Sequence, residues 1–271
     1  MENTSRFLSR GGPGLEGFLF EGYYKSRSQH KNLFTESRYL YQMLNSESSF
    51  TLEELDENPA LWDLVFDGKT SVVFLKKLDS FDGKGVIPIS LDYLNPEKLR
   101  NIMKKDGYHY LELPVSQSPS ISEIAPLGIS TLNILSWKSE LGEVRVFAAA
   151  LQLTTSSLLD CMSEEGIWIN LDPDIGVAID NGKQLVPFVK TVLHHPVSGF
   201  KLNDISIPSW EGISGFISDI YEKLEFRGLL SLELVIQDQG PKLLSFPSSE
   251  SLNQWFRLGD QEFFNDLKFK N

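Results

Sequence analysis

Residues 72–87 read VVFLKKLDSFDGKGVI. Val72–Lys76 is dense in β-branched and aromatic residues, and Val86-Ile87 resumes that pattern, so a strand stands on either side of Asp82-Gly83-Lys84-Gly85. The connection has two readings. Asp-Gly is an ordinary hairpin turn signal. A glycine-rich loop also brings backbone N–H groups close to a polyphosphate, and a lysine at the end of the preceding strand, Lys76, adds a compact charge. The loop lacks the G-x-x-x-x-G-K-[ST] pattern of a Walker site. Both readings fit locally, so the rest of the chain has to decide between them.

Working outward, Thr70–Lys76 and Gly85–Ser90 are expected strands. Asn95-Pro96 is an N-cap followed by proline at the first helical position, Leu99, Ile102 and Met103 share a face, and Gly107 closes the helix. Tyr108–Leu113 follows as a strand with Tyr108, Tyr110 and Glu112 on one side. Residues 70–115 therefore read β–loop–β–α–β. Upstream, residues 1–30 form a glycine-rich aromatic arm, Thr35–Leu44 has helical spacing, and Thr51-Leu52-Glu53-Glu54 is a capping box. Pro59 opens a second turn through Trp62 and Leu64.

Downstream, Ser116–Pro126 is polar with two prolines and reads as a linker or hinge. Strands are expected at Thr131–Trp137, Glu143–Leu153, Ile167–Leu171, Gly176–Asp180 and Gln184–Val189, with turns at Gly142 and Asn181-Gly182. Ser209 caps a helix whose apolar face holds Ile213, Phe216, Ile217, Ile220, Tyr221 and Leu224. Leu230–Ile236 and Pro241–Phe246 are two more strands, and Glu250–Lys270 is amphipathic. The class is α+β. The division is 1–69 for the arm and first helices, 70–118 for a small subdomain with the glycine loop, and 119–271 for a larger sheet-rich one.

Composition narrows the function. A net charge of −12 over 271 residues removes the general attraction that drives binding to nucleic acid or an anionic membrane. One cysteine, Cys161, allows neither an intrachain disulfide nor a cysteine zinc site, which fits a cytoplasmic protein. The longest nearly apolar run, Val144–Leu153, is strand length and carries Arg145 and Gln152. The N-terminus, MENTSRFLSRGGPG, has no apolar core of a secretory signal.

Two further features bear on chemistry. His194-His195-Pro196-Val197-Ser198-Gly199, followed by Ile207-Pro208-Ser209-Trp210, reads first as a tight turn entering a helix, with His195 a satisfied core or surface group. Asp160, Glu164, Glu165, Asp172, Asp174, Asp180 and Glu233 are oxygen donors of the kind Mg²⁺ takes, in a chain acidic enough for most to be solvated.

Taken together, roughly residues 30–250 resemble the sugar-transfer-associated ATP-grasp family, a branch of the carboxylate–amine ligase fold. Phe74-Leu75-Lys76 with Gly83-Lys84-Gly85 resembles the strand and loop that grip nucleotide, and Glu112 through Gln117 the hinge strand that holds adenine and ribose. Ile129-Ser130-Thr131-Leu132-Asn133-Ile134 is similar to the family's S-V-N-T-L-R-I strand, and Asp160 to Asp180 to its D-N-x-x-x-G-G … D-x-x-x-G region. His195-Pro196-x-x-Gly199 and Ile207-Pro208-x-Trp210 resemble H-P-x-T-G … I-P-x-W. Gln239-Gly240-Pro241-Lys242-Leu243-Leu244 resembles the start of D-G-P-v-L-i-E-g-N.

The resemblance implies an ATP-grasp fold, two α+β subdomains with a cleft between them, ATP held there with Mg²⁺, and attack of a substrate carboxylate on the γ-phosphate followed by an amine or thiol. It implies nucleotide contacts from Lys76, Gly83, Lys84, Gly85, Glu112 and His195. It also marks departures. The family's arginine positions fall on Asn133 and Gln152, its D-N pair on Asp160-Cys161 and its G-G pair on Glu165-Gly166. The metal-binding E-g-N falls on Ser245-Phe246-Pro247, leaving Glu233 as the surviving metal ligand. Neutral groups in place of arginines remove stabilisation of transferring phosphoryl charge. A hydroxyl and a proline do not rebuild an octahedral oxygen cage, and Phe246 between them points to core packing at that place. The expectation is a degenerate ATP-grasp protein, a nucleotide-binding or protein-partner subunit without transfer chemistry. The alternatives are an active ligase with relocated ligands, Glu233 with Glu250 or Asp160, and a cleft for another anion such as a sugar nucleotide.

Overall fold

The structure is a computed structural model that describes residues 48–77, 85–139, 141–155, 166–184 and 189–245. The expected helices at 35–44 and 250–270, and the 78–84 loop, lie outside these residues.

Two antiparallel sheets carry the fold. The first has four strands in the order β1-β4-β2-β3, with β1 at Ser49–Thr51, β2 at Val72–Lys76, β3 at Val86–Ser90 and β4 at Tyr110–Glu112. Helices α1 (Leu52–Glu57), α2 (Ala60–Val65) and α3 (Pro96–Asp106) accompany it. The capping box forms as the sequence dictates. Thr51 Oγ1 accepts from the Glu54 amide at 3.0 Å, and Glu54 accepts from the Thr51 amide at 2.8 Å. Asn95 caps α3 through its Oδ1, and Gly107 ends that helix in the left-handed region. Phe50, Val73, Leu75 and Leu111 fill one face of the sheet together with Leu99 and Met103 of α3. By strand alternation, Ser49, Phe74, Lys76, Tyr110 and Glu112 lie on the opposite face.

The second sheet has seven strands in the order β11-β10-β5-β6-β7-β8-β9. Its strands are β5 (Thr131–Lys138), β6 (Val144–Leu153), β7 (Ile167–Leu171), β8 (Gly182–Gln184), β9 (Lys190–Val192), β10 (Gly228–Gln237) and β11 (Gly240–Ser245). Leu132, Ile134, Leu151, Leu153, Ile169, Leu232 and Leu234 pack with Ile213, Ile217, Ile220 and Tyr221 of α5 (Trp210–Lys223) into one core. That side is the helix-backed layer. Tyr221 is fully buried, its hydroxyl donates to the Gly228 carbonyl at 3.0 Å, and burial pushes its phenol far up from the usual range.

Four local expectations change. The supposed linker holds a helix, α4 (Pro119–Ile124), with proline in its first turn and Ile121 and Ile124 buried. Its apolar pair gives that segment a place in the core that its prolines masked. Gly176–Asp180 makes only isolated bridges, Leu171 with Ala178 and Val177 with Ser206. Gly182 is inside β8 and not in a turn. A Cβ there would lie 2.6 Å from Leu202 Cδ1 and 2.7 Å from Ile167 Cγ2, so glycine serves close packing. Ser209 does precede α5, but it sits at φ 54° and makes no side-chain cap.

Among the described residues, the segments before β1 and after β4 are held to the large sheet. Ser118 N–H donates to Ile236 O at 2.7 Å, Gln237 Nε2 donates to Ser116 Oγ at 3.4 Å, and Lys242 Nζ donates to Ser48 Oγ.

Candidate functional site

The polar face of the large sheet can be built from its registers. Asn133 pairs with Glu233 on one side and with Ala150 on the other, Ala150 pairs with Asn170, and Glu233 pairs with Ser245. The next row runs Thr131, Gln152, Trp168 and Lys183. Cross-strand partners project to the same side, so these side chains share the face turned away from α5. A helix-backed sheet must bury one row of apolar residues, and alternation leaves the intervening polar row on the other side.

Neutral groups join one another along this face. Asn133 Nδ2 donates to Thr131 Oγ1 at 3.3 Å, and Thr131 Oγ1 donates to Gln152 Oε1 at 3.5 Å. Thr131, Asn133, Gln152 and Asn170 are all buried. Gln152 lies against the backbone at Gly166, where an added Cβ would meet its Cγ at 3.1 Å. Asn170 Nδ2 donates to Asp180 Oδ2 at 3.0 Å, and Lys183 Nζ pairs with the same oxygen at 2.9 Å. Ser245 Oγ donates to Glu233 Oε2 at 2.6 Å.

The sequence pattern directed attention to Asn133, Gln152, Glu233 and Ser245, and these four do share the face. Pro247, with Phe246, lies outside the described residues, as do Gly83, Lys84, Asp160, Cys161, Glu164 and Glu165. Gly85 is described, and its carbonyl accepts from the Lys77 amide at 3.0 Å. Sequence reasoning missed the parts played by Thr131, Asn170 and Lys183. Their signal was strand register, which a single sequence does not reveal.

Lys76 and Glu112 meet on the outer face of the small sheet. Phe74 is the register partner of Glu112, so Lys76 is its diagonal neighbour, and Lys76 Nζ lies 2.5 Å from Glu112 Oε2. Gln117, in the expected hinge, is engaged with backbone. Its Oε1 accepts from the Ser130 amide at 2.6 Å, and its Nε2 donates to Ala125 O at 3.3 Å.

His195 is held by backbone groups. It is 1% exposed, its Nε2 is 2.9 Å from Thr154 O, and its Nδ1 lies 3.4 Å from the amides of Val197 and Ser198. That pattern fits a neutral ring with the proton on Nε2. Ser198 Oγ donates to Ile124 O at 2.7 Å, so this turn fastens β6 to the end of α4. The other two motif segments lock each other. Asp172 Oδ1 accepts from the amides of Asp174 and Ile175, and Trp210 Nε1 donates to Pro173 O at 3.1 Å. Gly176 has φ 69°, and a Cβ on it would sit 2.4 Å from the Trp210 ring.

These features define an ATP-grasp protein with two α+β units. The sugar-transfer associated ATP-grasp family model matches residues 99–255, more than half of the chain, and the chain belongs to that family. The matched span includes Glu112, Asn133, Gln152, His195, Glu233 and Ser245, and begins after Lys76 and Gly83–Gly85. No match was found among curated proteins. Among solved structures, an N5-carboxyaminoimidazole ribonucleotide synthetase in complex with ADP is 14% identical, with a TM-score of 0.40, over 74% of this chain and 41% of that one. The Thermotoga maritima enzyme of the same name is 15% identical, with a TM-score of 0.38, over 78% and 39%. D-alanyl-alanine synthetase A from Vibrio cholerae is 10% identical, with a TM-score of 0.38, over 70% and 47%. The chain spans less than half the length of each of these proteins.

The family ordinarily works with ATP and Mg²⁺. At the Glu233 position the described residues present one carboxylate and a serine hydroxyl that donates to it. Among the described residues no group of three or more His, Cys, Asp or Glu side chains comes together. Octahedral Mg²⁺ takes acceptor oxygens, and a donating hydroxyl beside a single carboxylate does not fit the paired cage the family pattern implies. No helix among the described residues is long and apolar enough to cross a membrane.

Proposed function

We propose that this chain is a degenerate ATP-grasp protein, a cytoplasmic nucleotide-binding or partner subunit of a biosynthetic pathway that does not itself transfer phosphoryl groups. The observation that carries the reading is the Ser245–Glu233 hydrogen bond at 2.6 Å. It turns the surviving carboxylate toward a protein donor, at the place where the family pattern has a second metal-binding carboxylate. Asn133 and Gln152 support it, since each is a neutral amide within a hydroxyl–amide network where the pattern carries arginine. An arginine directed at a transferring phosphoryl group is worth about 10³–10⁵ in rate, and neutral amides do not replace its charge.

A second reading is an active ligase with relocated ligands. The approach of Asp180 to Asn170 favours it, because this brings a second carboxylate to the same face as Glu233. The two readings separate in an assay of ADP formation by purified protein with ATP and Mg²⁺, across carboxylate and amine pairs. We expect none above the protein-free rate. Turnover that depends on Mg²⁺ and is lost in Lys76→Ala establishes the ligase instead.

A further inference from the structure

The polar row through Asn133 and Glu233 is not the last on its face of the large sheet. The next rows are Ser231, Leu135 and Ala148, then Leu229, Trp137 and Arg145. Leu135 is 1% exposed, Ala148 0% and Leu229 3%, yet none of them belongs to the core beneath α5. A sheet face this apolar and this dry has chain packed on it. The helices among the described residues are placed elsewhere. α1, α2 and α3 pack on the small sheet, and α4 and α5 on the opposite face of the large one. The segments leading to the small sheet are fastened at Ile236, Gln237 and Lys242. Leu229 lies about 23 Å along β10 from Ile236, at 3.3 Å per residue.

The direction of β11 points to the occupant. This strand runs from Gly240, opposite Gln237, to Ser245, opposite Glu233, so the chain leaves it heading toward Ser231 and Leu229. The Ser245 hydroxyl is already on the polar face, bonded to Glu233. The sequence that follows carries Leu252, Trp255, Phe256, Phe263 and Leu267 at the three-, four- and seven-residue spacings of one helical face, with Arg257, Gln261 and Lys268 opposite. Most of this stretch lies beyond the family match.

We propose that residues 252–267 dock on the large sheet over Leu135, Ala148 and Leu229, as a wall beside the polar row at Asn133 and Glu233. The inference goes beyond the proposed function and holds whether or not the chain transfers phosphoryl groups. A segment delivered by the neighbouring edge strand closes only a short loop to reach this face. The aromatic arm of residues 1–30 instead enters the fold through β1 of the small sheet.

The test is photo-cross-linking of the full chain with benzoylphenylalanine in place of Phe256, and separately of Phe263. An equal mixture of isotope-labelled and unlabelled protein is irradiated, and the products are mapped by mass spectrometry. The expected product joins the probe to residues 134–148 or 228–231 of the same chain, with no labelled–unlabelled pairs. Products on α5 or the small sheet, products between two chains, or none at all overturn the proposal. So does a probe at Phe20 that captures this face when those at Phe256 and Phe263 do not. As a second readout, Phe256→Glu should raise binding of an apolar fluorescent dye several-fold and Phe256→Leu should leave it near wild type, with thermal melts checking that both are folded. Equal dye binding by wild type and a folded Phe256→Glu variant contradicts the docking.

Discussion

The motif-bearing loops and the polar face of the large sheet differ in what their residues do. In the loops, His195 is bound to backbone at Thr154 O, and Trp210 is bound to Pro173 O and packs on Gly176. On the face, Asn133, Gln152 and Glu233 meet side-chain partners. The segments that match the family pattern here are those that build the scaffold. The positions that depart from it, Asn133, Gln152 and Ser245, share the polar face of the large sheet. A signature of this kind reports architecture more directly than activity.

The difference can be pressed hardest at Gly176. Gly176→Ala puts a methyl group into the Trp210 ring and holds alanine at φ 69°, so a loss of about 2–5 kcal/mol is expected from strain and overpacking combined. Urea unfolding measures it. A loss under about 1 kcal/mol would remove the scaffold role from this motif. Gln152→Leu on the polar face should cost less, about 1–2 kcal/mol, because it removes hydrogen bonding from a buried network without overpacking, the new side chain being apolar and similar in size. A Gln152 effect equal to that of Gly176 would erase the contrast between the regions.

The smallest effect belongs to neither region. Asp56 accepts from Arg100 Nε at 2.5 Å, with Lys104 Nζ at 3.2 Å, and the Arg100 hydrogen bond foremost lowers its carboxyl below the usual value. A carboxylate lowered in the folded state stabilises above its unfolded pKa, and that gain is lost as pH falls through the folded pKa. Asp56→Asn should therefore lower the melting temperature slightly at neutral pH and converge with wild type in acid. A constant gap down through the acid range would show that the difference is not electrostatic.

Much of the fold was readable from residue pattern alone. The strands expected at Thr70–Lys76 and Glu143–Leu153, the Asn95-capped helix and the α5 face follow from alternation, caps and helical spacing, and the strands stand within two residues of those bounds, at Val72–Lys76 and Val144–Leu153. The three-residue strand β1 was not readable, because three residues carry no period and its partner β4 is about sixty positions away. Gly182 read as a turn because glycine marks turns more often than close packing. At the site, Lys76, Glu112, Asn133, Gln152 and Glu233 were named from motif positions, while their grouping into two faces came from register.

The most direct measurement is ADP release by the purified full chain with saturating Mg·ATP and a panel of carboxylates and amines. A rate indistinguishable from the protein-free control, alongside measurable ATP binding that Lys76→Ala weakens, is what a nucleotide cleft without a transfer centre must give. Magnesium-dependent ADP release that vanishes when Glu233 is changed to glutamine would show that the carboxylate held by Ser245 still works on metal, and that the chain is a ligase.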